Sequence, residues 1–181
     1  MTNPIPLIVG RPALLVIGMA ADAGNVPMSA SGEPLHRLIA AARRNAVPVV
    51  RFEYRGGFTA PFALRPSRET GREPVHGADG SDYRITKWRP SCFHGTELEI
   101  LLKGLRAETL VLCGKDTDVA IHYTFIDAHQ HDYHARVAGD CVAGSSDAAH
   151  DYALLAMEYC QTGARSSVDA LADAFDRLGS G

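Results

Sequence analysis

A parallel β-sheet of five or six strands, flanked by helices on both faces in a three-layer Rossmann-like α/β arrangement, is the fold class this sequence predicts. Three observations predict it. Short runs rich in Val, Leu and Ile, such as "ALLVI", "VPVVRF" and "TLVLC", have the length and composition of parallel strands buried on both faces. Segments of helical period stand between them, so the order reads as repeated strand–helix units. With 181 residues, 46% of them hydrophobic, residues 1–181 suffice for one domain with a real core.

The elements follow in order. "ALLVI" (Ala13 to Ile17) is the first strand, and "EPLHRLIAAARRN" (Glu33 to Asn45) is an amphipathic helix with Pro34 in its first turn. "VPVVRF" (Val47 to Phe52) is the second strand. The segment Tyr54 to Tyr83, dense in Gly, Pro and charge, reads as a long functional loop. "TELEILLKGLRA" (Thr96 to Ala107) is a helix, with Thr96 and Glu99 at capping-box spacing. "TLVLC" (Thr109 to Cys113) is the next strand and Asp118 to His131 the next helix, with Asp118 as its cap before Val119 and Thr117 in reserve. "HARVAG" is a strand, Asp147 to Cys160 a helix, Ala164 to Ser166 a short strand, and Ser167 caps the last helix. Ile17, Val50 and Leu112 fall on central strands.

Composition excludes several function classes. A net charge of -3 with no basic run argues against nucleic-acid binding, which needs a cationic face. The apolar stretch "ALLVIGMAA" is well short of the roughly 20 residues of a membrane span, and no leader-like segment precedes it, so a soluble cytoplasmic protein is expected. Cys92, Cys113, Cys141 and Cys160 are scattered, which suits free, mostly buried thiols. His129, His131 and His134 in "HQHDYH" read as a solvated surface, and no metal or other cofactor is expected.

Ligands in such folds collect beyond the carboxyl ends of the strands. Three segments sit there: "GMAAD", "TKWRPSCFHGT" and "GKDTDVA". Their convergence would bring together Lys87, Arg89, His94, Asp116 and Asp118, with helix N-terminal amides that favour an anion. The cationic side chains suit a small carboxylate. In an enzyme the buried Lys87 ammonium would lie within hydrogen-bond reach of Asp116 or of a bound anion, and would lower the Asp116 pKa, making Asp116 a base and Lys87 or His94 the proton donor.

"LLVIGMAADA", "TKWRPSCFHGT" and "GKDTDVAIHYTFIDA" together resemble the three motifs of the isochorismatase-like hydrolase superfamily, over nearly the whole chain. Lys87, Arg89, Ser91, Phe93, Gly95 and Thr96 match the second motif in register. "LVLCG" and "DAHQHDY…GDCVAGSS" are similar to the branch that cleaves isochorismate and its amino analogue in siderophore and phenazine pathways. The resemblance places Gly18 where amidase members carry the Asp of an Asp–Lys–Cys triad, Lys87 at the Lys, and Ala120 at the Cys. It therefore implies no thioester chemistry. Isochorismatases manage without the thiol, but they protonate a vinyl ether with that Asp, which Gly18 removes here. The Asp-x-His zinc pair of nicotinamidases has no counterpart in "RFEYRGG".

Asp116 is the candidate for relocated acid–base chemistry, with a surface pairing to Lys115 as the alternative. By resemblance the Lys115–Asp116 peptide is cis. Arg89 binds a substrate carboxylate or braces a loop; His94 forms part of the site wall; Thr117 and His122 approach the substrate, with helix packing the alternative for His122; and Asp22 organises the turn after the first strand. Two function classes follow. One is an enzyme acting by proton transfer on a small carboxylated metabolite, as a vinyl-ether hydrolase, lyase or isomerase. The other is a non-catalytic family member that binds a ligand or a partner. The resemblance implies a homodimer or higher homo-oligomer with helices and the long loop at the interface, and Phe58 and Phe62 of that loop are aromatic residues a monomer would expose.

Overall fold

The computed structural model describes residues 6–18, 32–55 and 82–179. Among these residues the sheet has six strands in the order β3-β2-β1-β4-β5-β6. These are β1 (Arg11–Ile17), β2 (Val49–Tyr54), β3 (Tyr83–Lys87), β4 (Ala107–Lys115), β5 (His134–Ala143) and β6 (Arg165–Ser166). Every neighbouring pair is parallel. The helices are α1 (Gly32–Arg44), α2 (Leu98–Leu105), α3 (His122–Gln130), α4 (Asp147–Cys160) and α5 (Val168–Leu178).

Alternation along the central strands builds the two halves of the core. In β1, Ala13, Leu15 and Ile17 join one cluster while Leu14 and Val16 join the other. In β4, Leu110 and Leu112 face the first cluster, and Val111 and Cys113 the second. The first cluster is closed by α2, α3 and α4 through Leu98, Leu102, Phe125, Leu154 and Met157. The second is closed by α1 and α5 through Leu38, Ile39, Leu171 and Phe175. A sheet buried on both faces explains why its strands read as continuous apolar runs. At the amino ends of the strands, buried Arg136 donates to the carbonyls of Leu7 (3.0 Å) and Pro6 (3.3 Å), tying the N-terminal arm to β5.

Four local expectations are corrected. "YRITK" forms β3, to which the sequence reading gave no strand, ending the long loop at Tyr83; Asp82 just ahead of it accepts from Arg43 and Arg51, anchoring the returning chain. Helix α2 starts at Leu98, so the Thr96–Glu99 capping box does not form: the Thr96 hydroxyl donates to the Cys92 carbonyl at 2.5 Å, and Glu99 pairs with Lys103. A wide π-helical turn (Thr117–Ile121) precedes α3, and Asp118 does not cap it but turns toward Ser145. Strand β5 runs on to Ala143, past the end of "HARVAG", through an irregularity opposite Cys113. Asp22, Phe58 and Phe62 lie outside the described residues.

Candidate active site

The carboxyl ends of β1, β2, β3 and β4 bring the first three pieces of the site together. Lys87 is the last residue of β3, paired with Tyr54 at the end of β2. It is 1% exposed, and its Nζ lies 5.4 Å from the centre of the Tyr54 ring. The ammonium donates to the carbonyls of Pro90 (2.5 Å) and Arg89 (3.3 Å). Burial pushes its pKa down, against opposing influences from Cys92 and Asp116. The loop after β3 is pinned to α3: Ser91 donates to Asp127 at 2.5 Å, and the Cys92 amide donates to Thr124 Oγ1 at 3.0 Å. Ser91, Thr124 and Asp127 thus hold in place the backbone that receives the lysine.

Two glycines cross where β1 and β4 end. Gly18 has φ 69 and Gly114 φ 115, both in the region that favours glycine. A Cβ on Gly18 would overlap the Lys115 carbonyl oxygen, and one on Gly114 the carbonyl oxygen of Ile17. The backbone itself therefore occupies the space where an acid side chain at position 18 would start.

Asp116 follows the Lys115–Asp116 peptide, which is cis. Its carbonyl accepts from Val119 (3.2 Å) and Ile121 (3.0 Å), opening the π-helical turn. Its side chain reaches solvent, yet the protein around it raises its pKa. Desolvation is the largest cause and the Asp118 charge adds to it, while Lys115 and Lys87 oppose. Lys87 acts in the direction expected, lowering this pKa, but burial and the second carboxylate outweigh it, so Asp116 is not pushed toward a base. Among the described residues, Lys87 reaches Asp116 by charge rather than by a hydrogen bond.

Asp118 has the opposite fate. Burial pushes its pKa up, but bonds from the Ser145 hydroxyl (2.5 Å) and amide (2.9 Å), its own amide and the nearby His150 leave it lowered. Thr117 is fully buried, and its hydroxyl lies 2.9 Å from Nδ1 of His150 on α4. Gly144 makes room for this approach, since a Cβ there would crowd both Asp118 and His150. His150 and Ser145 were missed by the sequence reading. Their only signal was position, just beyond the end of β5 on the same side of the sheet as the other loops.

Of the remaining expected residues, His122 is half-buried, and burial lowers its pKa against the pull of Asp118. Arg89 is half-buried beside Tyr54 and donates to the Trp88 carbonyl at 3.1 Å. His94 is exposed, on the segment between β3 and α2. Ala120 is 9% exposed and carries no nucleophile. The nearest thiol to Lys87 in charge terms is buried Cys92, pushed up to about 11, and Cys113 is raised well above its ordinary value by its contact with Cys141 and by burial. Both are poor nucleophiles. Among the described residues no cluster of His, Cys, Asp or Glu is arranged to hold a metal, and His129 and His131 are engaged by Gln161 and Phe93.

The described residues thus form a six-stranded parallel α/β domain with a buried lysine at the tip of β3 and a cis peptide closing β4. Residues 12–167 match the isochorismatase domain, and the chain belongs to the isochorismatase family. It is 26% identical over 170 residues to the uncharacterized isochorismatase family protein YwoC of Bacillus subtilis (strain 168), covering 85% of this chain and 89% of that one. It is 33% identical over 87 residues to the phenazine biosynthesis protein PhzD1 of Pseudomonas aeruginosa, a stretch spanning 48% of this chain and 41% of PhzD1. In structure it is similar to a cysteine hydrolase from Pseudomonas syringae pv. phaseolicola 1448A, with a TM-score of 0.74 at 19% identity over 97% of this chain and all of that one. It is also similar to N-carbamoylsarcosine amidase from Thermoplasma acidophilum, with a TM-score of 0.65 at 26% identity, covering 88% and 98% of the two chains. Among the described residues no helix is long and apolar enough to cross a membrane.

Proposed function

We propose that this isochorismatase-family chain is an enzyme that works without a cysteine nucleophile, by proton transfer to a small carboxylated metabolite, with vinyl-ether hydrolysis as the leading reaction. The observation that carries this reading is the position of Asp116 on the turn that follows the cis peptide at the carboxyl end of β4, within reach of the Lys87 charge, where desolvation and Asp118 raise its pKa. A carboxyl group that holds its proton above the usual range is a usable general acid. It takes over the duty of the acid that Gly18 lacks: protonating the enol-ether carbon so that water adds to the oxocarbenium ion. Lys87, desolvated and close in charge, stabilises negative charge on the substrate; Arg89 is assigned its carboxylate. His122, with its lowered pKa, stays uncharged and contacts the substrate as a neutral ring. Thr117 acts from behind, holding the turn through His150, and His94 belongs to the exposed rim of the site. No cofactor is part of this chemistry, and the site is read as cytoplasmic small-molecule metabolism in a homo-oligomer.

Incubating the protein with isochorismate, and following loss of the vinyl-ether protons by NMR, tests the reading. Turnover that disappears in Asp116→Asn supports it; turnover unchanged in that variant refutes the assignment of the acid.

One observation favours a second reading, that of a non-catalytic ligand-binding or partner subunit: the crossing of Gly18 over Lys115 leaves no place for the family's acid. That reading predicts thermal stabilisation by isochorismate with no turnover.

A further inference from the structure

Helix α4 is apolar on two sides. Ala153, Leu154 and Met157 enter the core, as an outer helix of a three-layer fold requires. On the opposite side Tyr152 (73% exposed), Leu155 (70%) and Tyr159 (92%) stand in solvent, with exposed Ala148 continuing the row one turn earlier. The steps from Ala148 through Tyr152 and Leu155 to Tyr159 alternate between four and three residues, the spacing of a helix–helix seam. Tyr123, 56% exposed, adds to the apolar character of α3, which packs beside α4.

Single exposed apolar residues need no explanation, but a row of this kind does. An aromatic side chain carries about 150–250 Å², so Tyr152, Tyr159 and Leu155 alone present roughly 400 Å², about half of one protomer's share of a standard interface of about 800 Å² per partner. The row carries no charge. The Glu158 carboxylate beside it is tied back to its own chain, accepting from the amides of Gly163 (2.7 Å) and Arg165 (3.0 Å), and Asp151 lies at the edge, where interfaces tolerate charge.

We infer that the Tyr152–Leu155–Tyr159 face of α4 is the surface on which a second copy of this chain docks, by an antiparallel two-fold crossing at Leu155. The pattern Tyr-x-x-Leu-x-x-x-Tyr is close to symmetric about Leu155. A two-fold axis there sets Leu155 on its own counterpart and Tyr152 on Tyr159 of the second copy, so the face is its own complement, as a two-fold interface requires. Ala149 and Ala156 beside the seam let the backbones approach.

The inference deepens the homo-oligomer expected above and is independent of the reaction. Cys160, the exposed cysteine among three buried ones, is five residues beyond the crossing point and is a native labelling position. At 1.5 Å per residue and a helix separation of 8–10 Å, the two Cys160 Cα atoms would lie roughly 18 Å apart. The test is analytical ultracentrifugation of the full chain at micromolar concentration, with Leu155→Arg and Tyr159→Arg, and pulsed EPR on protein spin-labelled at Cys160. Because both side chains are exposed, the variants keep the fold, which circular dichroism checks. A wild-type dimer that Leu155→Arg weakens about tenfold or more, with a short label-to-label distance, is expected. A dimer untouched by both variants, or with labels far apart, overturns this surface while leaving the homo-oligomer standing; a wild-type monomer overturns both.

Discussion

The hydroxyl of Thr117 and Nδ1 of His150 lie 2.9 Å apart, joining the turn that opens at Asp116 to a helix more than thirty residues further along the chain. With Thr117 fully buried, either group left alone would lose its partner. Thr117→Val is expected to cost about 1–2 kcal/mol in urea unfolding and to lower kcat more than it raises KM. His150→Gln with Thr117 intact, which keeps a hydrogen-bonding side chain opposite the hydroxyl, should lose less of both than Thr117→Val does. Full activity and stability in Thr117→Val would show that the contact positions nothing.

Asp118 and Ser145 make the stability of the site loop pH-dependent. The Asp118 pKa in the folded chain is below its ordinary 3.8, so the stabilisation is present above that value and is lost as pH falls through the lower folded value. Ser145→Ala removes the hydroxyl's contribution. Unfolding free energies from urea titration should therefore differ between wild type and variant at pH 6, by up to about 1 kcal/mol for so exposed a pair, and converge as the pH falls below the lowered Asp118 pKa. A difference that grows on acidification would contradict the assignment.

Restoring the family's acid should fail. Gly18→Asp places a side chain on a backbone with φ 69 and against the Lys115 carbonyl, with a cost on the order of 2 kcal/mol or more. Thermal denaturation is expected to show a lowered midpoint and assays no gain in turnover. A stable, more active variant would mean that the β1–β4 crossing can open.

Thiols are expected to be bystanders. Cys160 is exposed, whereas Cys92, Cys113 and Cys141 are buried. Alkylation of the native protein should add one equivalent, found at Cys160 by mass spectrometry, and leave turnover unchanged. Inactivation that tracks modification of Cys92 or Cys113 in folded protein would revive covalent catalysis.

Much of the fold was legible because burial on both sheet faces writes itself into Val, Leu and Ile runs; β1, β2, β4 and α5 with its Ser167 cap are cases in point. Strand β3 was not, since "YRITK" is polar on the positions that face away from the core, and only Ile85 and Lys87 are buried. The prominence of Lys87 was readable from its motif, and the structure buries it at the carboxyl end of β3. The behaviour of Asp116 was not, because its pKa depends on the competition of burial and Asp118 against two lysines, which no spacing reveals. Asp118 stands at a helix start, where local pattern favours a cap, but Ser145 offers it two donors from a segment distant in sequence.

The most direct test of the central claim is the pH dependence of kcat/KM for isochorismate. A general acid with a raised pKa is active while protonated, so activity should be high on the acid side and fall as pH rises through a value above the ordinary 3.8 of a carboxyl. Asp116→Asn should abolish that limb and cost on the order of 100-fold or more, and Lys87→Met should abolish turnover with the fold intact. A profile that instead rises with pH, or a limb that survives in Asp116→Asn, would contradict proton donation by Asp116.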